Sequence, residues 1–320
     1  MTGSLAVVPL VGLLLIVLVL ALEAWPALRL EGVHFFTGRA WNEGNLYGNV
    51  VTTNGVQHMQ GSSFGALDMI IGTLEISAIA VVLGVPIGVG AAVLVVEKLP
   101  PRASAAVGLV LEVLAGIPSV IFGLWGLLVL GPFLARHIYP ALSHLPNVPV
   151  LDFFRGNVGG GQGLLTAGIV LAIMIVPIIA ATTRDLLRQV PRATSEGAVA
   201  LGMTDAETFR TVQLRWIRAG VVGAGILGLG RALGETIAVA MVSGSIIAQA
   251  QNIYGGTTTI AATIVSYLDS AEGDPTLFSV KALALAALVL MLITLIVNVG
   301  ARVIVRRFAR GTALPVGVGF

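Results

Sequence analysis

S-E-G-A-V-A-L-G-M-T-D-A-E-T-F (Ser195–Phe209) lies inside the only long charged stretch of the chain, between Thr182 and Ala219, and apolar runs flank that stretch on both sides. Pro191 opens a helix-compatible run, because proline is tolerated in the first turn of a helix. The run Ala193–Leu201 is short and alanine-rich, and Gly202 stands where a helix ends in the left-handed conformation open to glycine. Thr204 with Glu207 three residues later has the spacing of a capping box. The stretch predicts a helix, a glycine stop and a second, capped helix. Neither reaches the ~12–15 residues at which an isolated helix becomes marginally stable in water, so both need a partner surface. A polar hairpin hung between membrane spans suits docking to something outside the bilayer. Packing on its own bundle, a solvated linker and arginine contacts with anionic lipid are the other readings left open.

Composition places everything around that hairpin in a membrane. Of 320 residues, 56% are hydrophobic and 11% charged, where a soluble domain carries about 25% charged residues; the mean hydropathy is +0.97. The absence of cysteine excludes a disulfide framework and a thiolate metal site. The histidines His34, His58, His137 and His144 are assigned to polar loops as solvated side chains, so neither a metal nor a cofactor is expected. Only two lysines occur, Lys98 and Lys281, and neither follows a glycine. A Walker A loop needs Gly-Lys-Ser/Thr to cradle phosphates, so the chain is read as no enzyme, and an ATP-driven role needs a separate subunit.

A spanning helix takes about 20 mostly apolar residues. Six segments qualify: Leu5–Ala24, Met69–Val96, Ala105–Ala135, Leu164–Ala181, Ala219–Ala250 and Val280–Val305. The first is read as a retained helix rather than a signal peptide, because no Lys or Arg precedes Arg29. With the amino terminus inside, 12 basic residues fall on inner segments and 5 on outer ones, leaving Arg231 within a span. The positive-inside rule then puts both termini in the cytoplasm. The outer loops are Arg29–Asp68, Arg136–Gly163 and Gln251–Ser279. In the last, Ile260, Ile264 and Leu268 recur at helical spacing, which fits an amphipathic helix at the interface or a helical cap on the bundle.

Arg231 lies 12 residues past Ala219, roughly 18 Å along the expected fifth span at ~1.5 Å per residue. Left alone at mid-membrane an arginine costs ~2.5–3.5 kcal/mol or more. Glu235 stands at i+4, on the same helical face, and can partly neutralise it. Two readings follow: a pair that fixes helix packing, or a site for an anionic solute, whose oxygens the planar guanidinium matches. Pro118 interrupts the third span, as a kink or as a pore-lining bend.

Two resemblances add to this. Glu196-Gly197-Ala198, Gly202, Val212 and Leu214 resemble the EAA loop of ABC-importer permeases: E-A-A, three residues, G, nine residues, I, any residue, L-P. Gly197 replaces the middle alanine, Val212 the isoleucine, and Arg215 stands where proline is usual. The resemblance implies a coupling helix seated in a cytoplasmic ATPase, with Glu196, Ala198, Gly202 and Leu214 as coupling positions. Gly228–Val239 (G-L-G-R-A-L-G-E-T-I-A-V) and Leu114–Leu127 (L-A-G-I-P-S-V-I-F-G-L-W-G-L) are similar to the signatures of phosphate-specific Pst permeases, of the PstC type rather than the PstA type. Weaker matches are Gly72-Thr73-Leu74 and Leu295-Ile296-Val297-Asn298; the segment Gly44–Gly61 aligns with nothing in that family.

The expected fold is an all-α polytopic membrane protein with six transmembrane helices and, by resemblance, the type I ABC importer permease fold. A peripheral helix and outer loop fill 1–65, a permease domain 66–310 with its coupling loop at about 184–218, and a tail 311–320. The expected function is the permease subunit of an ATP-driven importer of inorganic phosphate, in a prokaryotic cytoplasmic membrane. Along the pathway Arg231 transiently contacts the anion, Glu235 tempers its charge, and Thr236 offers a hydroxyl or simply packs. The resemblance implies a second, PstA-type permease subunit, two PstB-type ATPase subunits and an extracytoplasmic PstS-type binding protein, with no nucleic acid. A permease for sulfate or molybdate and an ATP-independent carrier or channel are the alternatives.

Overall fold

The structure is a computed structural model and describes residues 2–144 and 153–310. The expected tail at 311–320, and the part of the second outer loop at 145–152, lie outside the described residues. Fourteen α-helices follow in chain order among the described residues: α1 (Thr2–Glu31), α2 (His34–Thr37), α3 (Leu67–Val93), α4 (Pro101–Gly116), α5 (Ser119–Trp125), α6 (Gly131–Phe133), α7 (Tyr139–Ser143), α8 (Leu164–Leu187), α9 (Arg192–Ala200), α10 (Asp205–Thr208), α11 (Leu214–Leu233), α12 (Ile237–Val242), α13 (Ile260–Glu272) and α14 (Phe278–Arg310). A π-helical turn, Leu94–Lys98, extends α3; two more, Gly126–Leu130 and Leu134–Ile138, join α5, α6 and α7; a fourth, Phe209–Gln213, joins α10 to α11.

Six of the resulting stretches are long and apolar enough to cross a membrane: Val11–Glu31, Leu67–Lys98, Ser119–Ser143, Leu164–Leu187, Asp205–Leu233 and Phe278–Val303. Their number is the expected one, but two of the expected spans are broken. The segment Ala105–Ala135 is two helices, because Ile117 is extended (φ −67°, ψ 132°) ahead of Pro118. Proline forces that conformation by clashing with a helical residue before it, and it has no N–H to continue the ladder. Pro118 thus ends a helix rather than kinking one. The segment Ala219–Ala250 stops at Leu233, with Gly234 as its C-cap, and resumes only as the short α12.

The chain divides into two compact units. One comprises Met1–Ile76, Gly123–Ala167 and Glu235–Ile293, the other Ser77–Phe122, Gly168–Gly234 and Thr294–Phe320. In the first, α1 buries Ala24 and Ala27 in a core with Phe35, Phe64, Met69, Ile260, Phe278 and Leu285, while Leu13–Ile16, Leu18, Val19 and Leu22 stay exposed. A helix apolar all round with so little of it covered suits a lipid-facing position.

The segment Gly44–Gly61, expected only as an outer loop, holds a folded hairpin. Strands β1 (Trp41–Asn42), β2 (Val50–Thr53), β3 (Val56–Met59) and β4 (Ser63–Phe64) form two antiparallel pairs, β1 with β4 and β2 with β3. The β2–β3 turn is Asn54-Gly55, both at positive φ, the residues that a tight hairpin turn demands. His58 is not a solvated loop residue: Nδ1 lies 3.0 Å from Ser62 Oγ and 3.1 Å from the Met59 carbonyl, and Nε2 lies 3.0 Å from Thr53 Oγ1. His34 and His137 are likewise helical rather than in loops. Among the described residues no group of three His, Asp or Glu could hold a metal ion.

Irregular backbone at 243–259 belongs to the same unit and is tied to its neighbours by backbone hydrogen bonds. Ser243 accepts from Thr257 N–H at 2.8 Å, Val242 from Gly163 N–H at 2.9 Å, and Gly255 from Leu164 N–H at 3.0 Å, so the loop caps the start of α8. Gly163 permits this, since a Cβ there would sit 2.2 Å from the Tyr254 carbonyl. The α13 helix that follows buries Ile260 and packs Ile264 on the core but leaves Leu268 exposed, so its first turns act as a cap on the bundle. At the next junction Asp274 receives N–H and O–H bonds from Thr276 (2.8 and 2.7 Å) and from Ser279 (3.0 and 2.9 Å), closing the start of α14.

In the second unit, α11 carries Gly220, Ala224, Gly228 and Ala232 at every fourth position. A Cβ on Gly220 would meet Leu186 at 2.4 Å, and one on Gly228 would meet Ile179 at 3.0 Å, so α11 and α8 approach along this small-residue stripe. Below it Ala92, Leu187, Val190 and Ile217 form a second core, with Val96, Phe209 and Leu214 packed against it.

Candidate coupling and translocation sites

The charged hairpin folds as its sequence predicts. Pro191 is the N-cap of α9 rather than its first residue, Leu201 closes the helix, and Gly202 turns at φ +87°. Thr204 then caps α10: its Oγ1 accepts from the Glu207 N–H at 3.3 Å, and Glu207 Oε2 accepts from the Thr204 N–H at 2.8 Å. The two reciprocal bonds satisfy donors that the helix start leaves open.

The expected coupling positions are not alike. Ala198 is buried, Leu214 is half-buried in the core below, and Glu196 and Gly202 are exposed. Apolar Val199 and Leu201 are exposed beside them, Leu201 to 84%. Gly197, which replaces the family's alanine, has open space around its Cβ position, so this departure from the pattern creates no gap and relieves no clash. Between α9, α10 and the π turn that extends α3 lies a cavity of about 420 Å³ lined by Glu97, Ser195, Glu196, Asp205, Thr208 and Gln213 among others. The hairpin therefore presents an apolar tip beside an acidic hollow.

Two residues that sequence reasoning passed over hold this arrangement. Gln213 is buried and donates through Nε2 to Glu97 Oε1 at 3.1 Å and to Ser195 Oγ at 3.4 Å. Lys98 pairs with Asp205 at 2.7 Å across exposed surface. Glu97 and Gln213 are 116 positions apart, so no local spacing joins them.

The expected translocation residues fall around the break in the fifth segment. Arg231 is exposed in the last turn of α11, where a cation complements the helix dipole. Among the described residues no carboxylate lies within ion-pair distance of it. Glu235 is buried and Thr236 half-buried just before α12. The shared helical face expected for Arg231 and Glu235 does not exist, because α11 ends at Leu233; the three residues are neighbours in sequence around a helix break. Glu75 was also overlooked: it is the one acid between Met69 and Val96, and its Oε2 is buried with no hydrogen-bond partner among the described residues. A carboxylate in an apolar run points to the bundle interior or a solute path, and that signal was visible in the sequence.

A sequence profile described as "Binding-protein-dependent transport system inner membrane component" matches residues 84–310. The chain belongs to that family. It is therefore the multi-pass inner-membrane component of a transport system, not an enzyme, and works with a binding protein and a separate ATPase. Among its relatives are the phosphate transport system permease protein PstC 1 of Mycobacterium tuberculosis, 58% identical over 316 residues that cover 98% of this chain and 93% of the relative, and the PstC protein of Mesorhizobium japonicum, 38% identical over 285 residues that cover 89% and 81%. Among solved structures, the MetNI methionine ABC transporter matches with TM-score 0.54 and 20% identity, over 74% of this chain and 93% of that one. A bacterial alginate ABC transporter matches with TM-score 0.53 and 16% identity, over 75% and 78%. Identities this low carry the fold alone, which is that of type I importer permeases.

Proposed function

We propose that this chain is the permease subunit of an ATP-driven importer of inorganic phosphate. The observation that carries the reading is 58% identity, over nearly the whole length of both chains, to a phosphate transport system permease protein. The hairpin agrees with it: two helices too short to stand alone, with an exposed apolar tip, suit docking to a cytoplasmic ATPase. In this reading Glu196, Ala198, Gly202 and Leu214 set the docking surface. ATP binding closes the ATPase pair, the hairpins move with it, and the spans reorient around the pathway.

Arg231, Glu235 and Thr236 act where the fifth segment breaks. Non-helical backbone at membrane depth is tolerated where it is buried in protein or lines a watery cavity, and an arginine there offers a planar fork to phosphate oxygens. Glu235 keeps the local charge low enough for release, since conduction requires weak binding. Thr236 positions the turn. Both termini lie in the cytoplasm by the distribution of basic residues, residues 1–65 add a peripheral helix and outer loop, and residues 66–310 form the permease domain. The partners are a PstA-type second permease subunit, two PstB-type ATPase subunits and a PstS-type binding protein.

The test is uptake of labelled phosphate, with sulfate as competitor, in cells that lack their own phosphate import and carry this chain with its partner subunits. Uptake that needs ATP and ignores sulfate supports the reading. Sulfate competing on equal terms would move the assignment to another oxyanion.

A further inference from the structure

Among the features the proposed function leaves unused, the contacts between the coupling hairpin and the inner end of α3 carry the most. The hairpin is covalently continuous with α8 and, through α10 and its π turn, with α11. It is not directly joined to α3 in the chain, and side-chain contacts link the two across space. Beside an apolar contact, the polar members of that link are specific. The buried amide of Gln213 reaches back to Ser195 on α9 and across to Glu97 on the last turn of α3. One residue further, Lys98 grips Asp205 at the first position of α10. A carboxylate accepts only, so Glu97 fixes which end of the Gln213 amide faces it.

The backbone at both ends of this link is unusual. Glu97 and Lys98 close one π-helical turn, and Gln213 closes another. Such turns widen a helix and swing its next side chains off the ordinary register, and they often mark functional sites. Underneath, Val96 and Phe209 pack on the Ala92, Leu187, Val190 and Ile217 core, so the polar link sits on an apolar floor that keeps water from one side. The exposed Lys98–Asp205 pair adds little by itself; Gln213 is the buried member, and its loss removes both the bond to Glu97 and the bond to Ser195.

We propose that Gln213, bonded to Glu97 and Ser195 and flanked by the Lys98–Asp205 pair, is a brace that makes α3 follow the coupling hairpin, so that these are positioning residues for converting ATPase movement into solute movement. The inference rests on the reading of the chain as an ATP-driven importer subunit. It predicts a separation: without the brace, the ATPase still docks and hydrolyses, but α3 lags and less solute crosses per ATP.

The experiment uses the whole assembly, with this chain co-expressed beside its second permease subunit, ATPase and binding protein and reconstituted in liposomes. The readout is phosphate taken up per ATP hydrolysed. In Gln213→Leu the expected result is near-normal hydrolysis with a several-fold lower ratio. The exchange pair Glu97→Gln with Gln213→Glu, which keeps one amide facing one carboxylate, is expected to restore it. An unchanged ratio in Gln213→Leu, or hydrolysis and uptake falling by the same factor, overturns the brace. Where Gln213→Leu does not assemble, Gln213→Glu alone is compared with the exchange pair: a ratio that falls in the single variant and returns in the pair supports the brace, and equal ratios overturn it. A wild-type assembly that moves no phosphate would instead refute the functional reading, a result distinct from any of these.

Discussion

At the scale of single residues, the hairpin shows how far local rules reach. Gly202 stands at φ +87° with open space around its Cβ position, so Gly202→Ala pays in backbone strain alone, about 1–2 kcal/mol. Gly197 lies in the middle of α9 with equal room and ordinary helical backbone. Gly197→Ala should therefore stabilise the hairpin by about 0.5–1 kcal/mol. Opposite shifts in the unfolding temperature of the purified assembly would check both; equal shifts would mean that the hairpin does not limit unfolding. Arg231 obeys a different rule. If Arg231 contacts the anion as proposed, replacing it by glutamine removes charge-assisted bonds worth about 1.5–3 kcal/mol, and Arg231→Gln should lower phosphate uptake by about tenfold or more while the subunits still co-purify. Normal uptake would remove Arg231 from the pathway. The capping box and the glycine stop were legible in sequence because their partners lie within three residues. Gln213 and His58 were not: Gln213 finds Glu97 at a distance of 116 positions, and the role of His58 follows from a hairpin that only its Asn54-Gly55 turn announced.

At the scale of elements, hydropathy located all six membrane-crossing stretches but could not see where two of them break. Apolar residues flank Ile117-Pro118 and Gly234-Glu235-Thr236 on both sides, and a window average passes over so short an interruption. Pro118 carried the signal in its chemistry, since the residue before a proline avoids the helical region. The start of α14 makes the same point with a carboxylate. Burial pushes the Asp274 carboxyl up, yet hydrogen bonds from Ser279 and Thr276 outweigh it and hold the group below the usual aspartate range. A carboxyl with a depressed folded pKa contributes stability that is fully present above the unfolded value, about 3.9, and is lost as pH falls through the folded one. The α14 junction should thus be indifferent to pH near neutrality and weaken only in acid below the ordinary aspartate range. Asp274→Asn offers an NH₂ group to Ser279 or Thr276 donors in place of an acceptor. It should cost about 1–3 kcal/mol and flatten that acid dependence, both readable in thermal unfolding followed against pH.

At the scale of the whole molecule, the orientation of the chain in the membrane is open to a direct test. With no cysteine anywhere, a single introduced thiol reports one position without background. Tyr47, in the loop before β2, is fully exposed, and Leu201, at the tip of the coupling hairpin, is 84% exposed; neither substitution disturbs a core. If the basic residues set the topology as the positive-inside rule requires, Tyr47→Cys reacts with a membrane-impermeant maleimide in intact cells. Leu201→Cys then reacts only after the membrane is opened. The reverse pattern would invert the chain and place the hairpin where no cytoplasmic ATPase could reach it. The same thiol also tests where the ATPase docks. If the exposed apolar tip is the surface that the ATPase covers, Leu201→Cys should label slowly in the assembled transporter and quickly once the ATPase is stripped away, while Tyr47→Cys labels at the same rate in both. Equal rates at Leu201→Cys would place the docking surface elsewhere on the hairpin, even with the topology right.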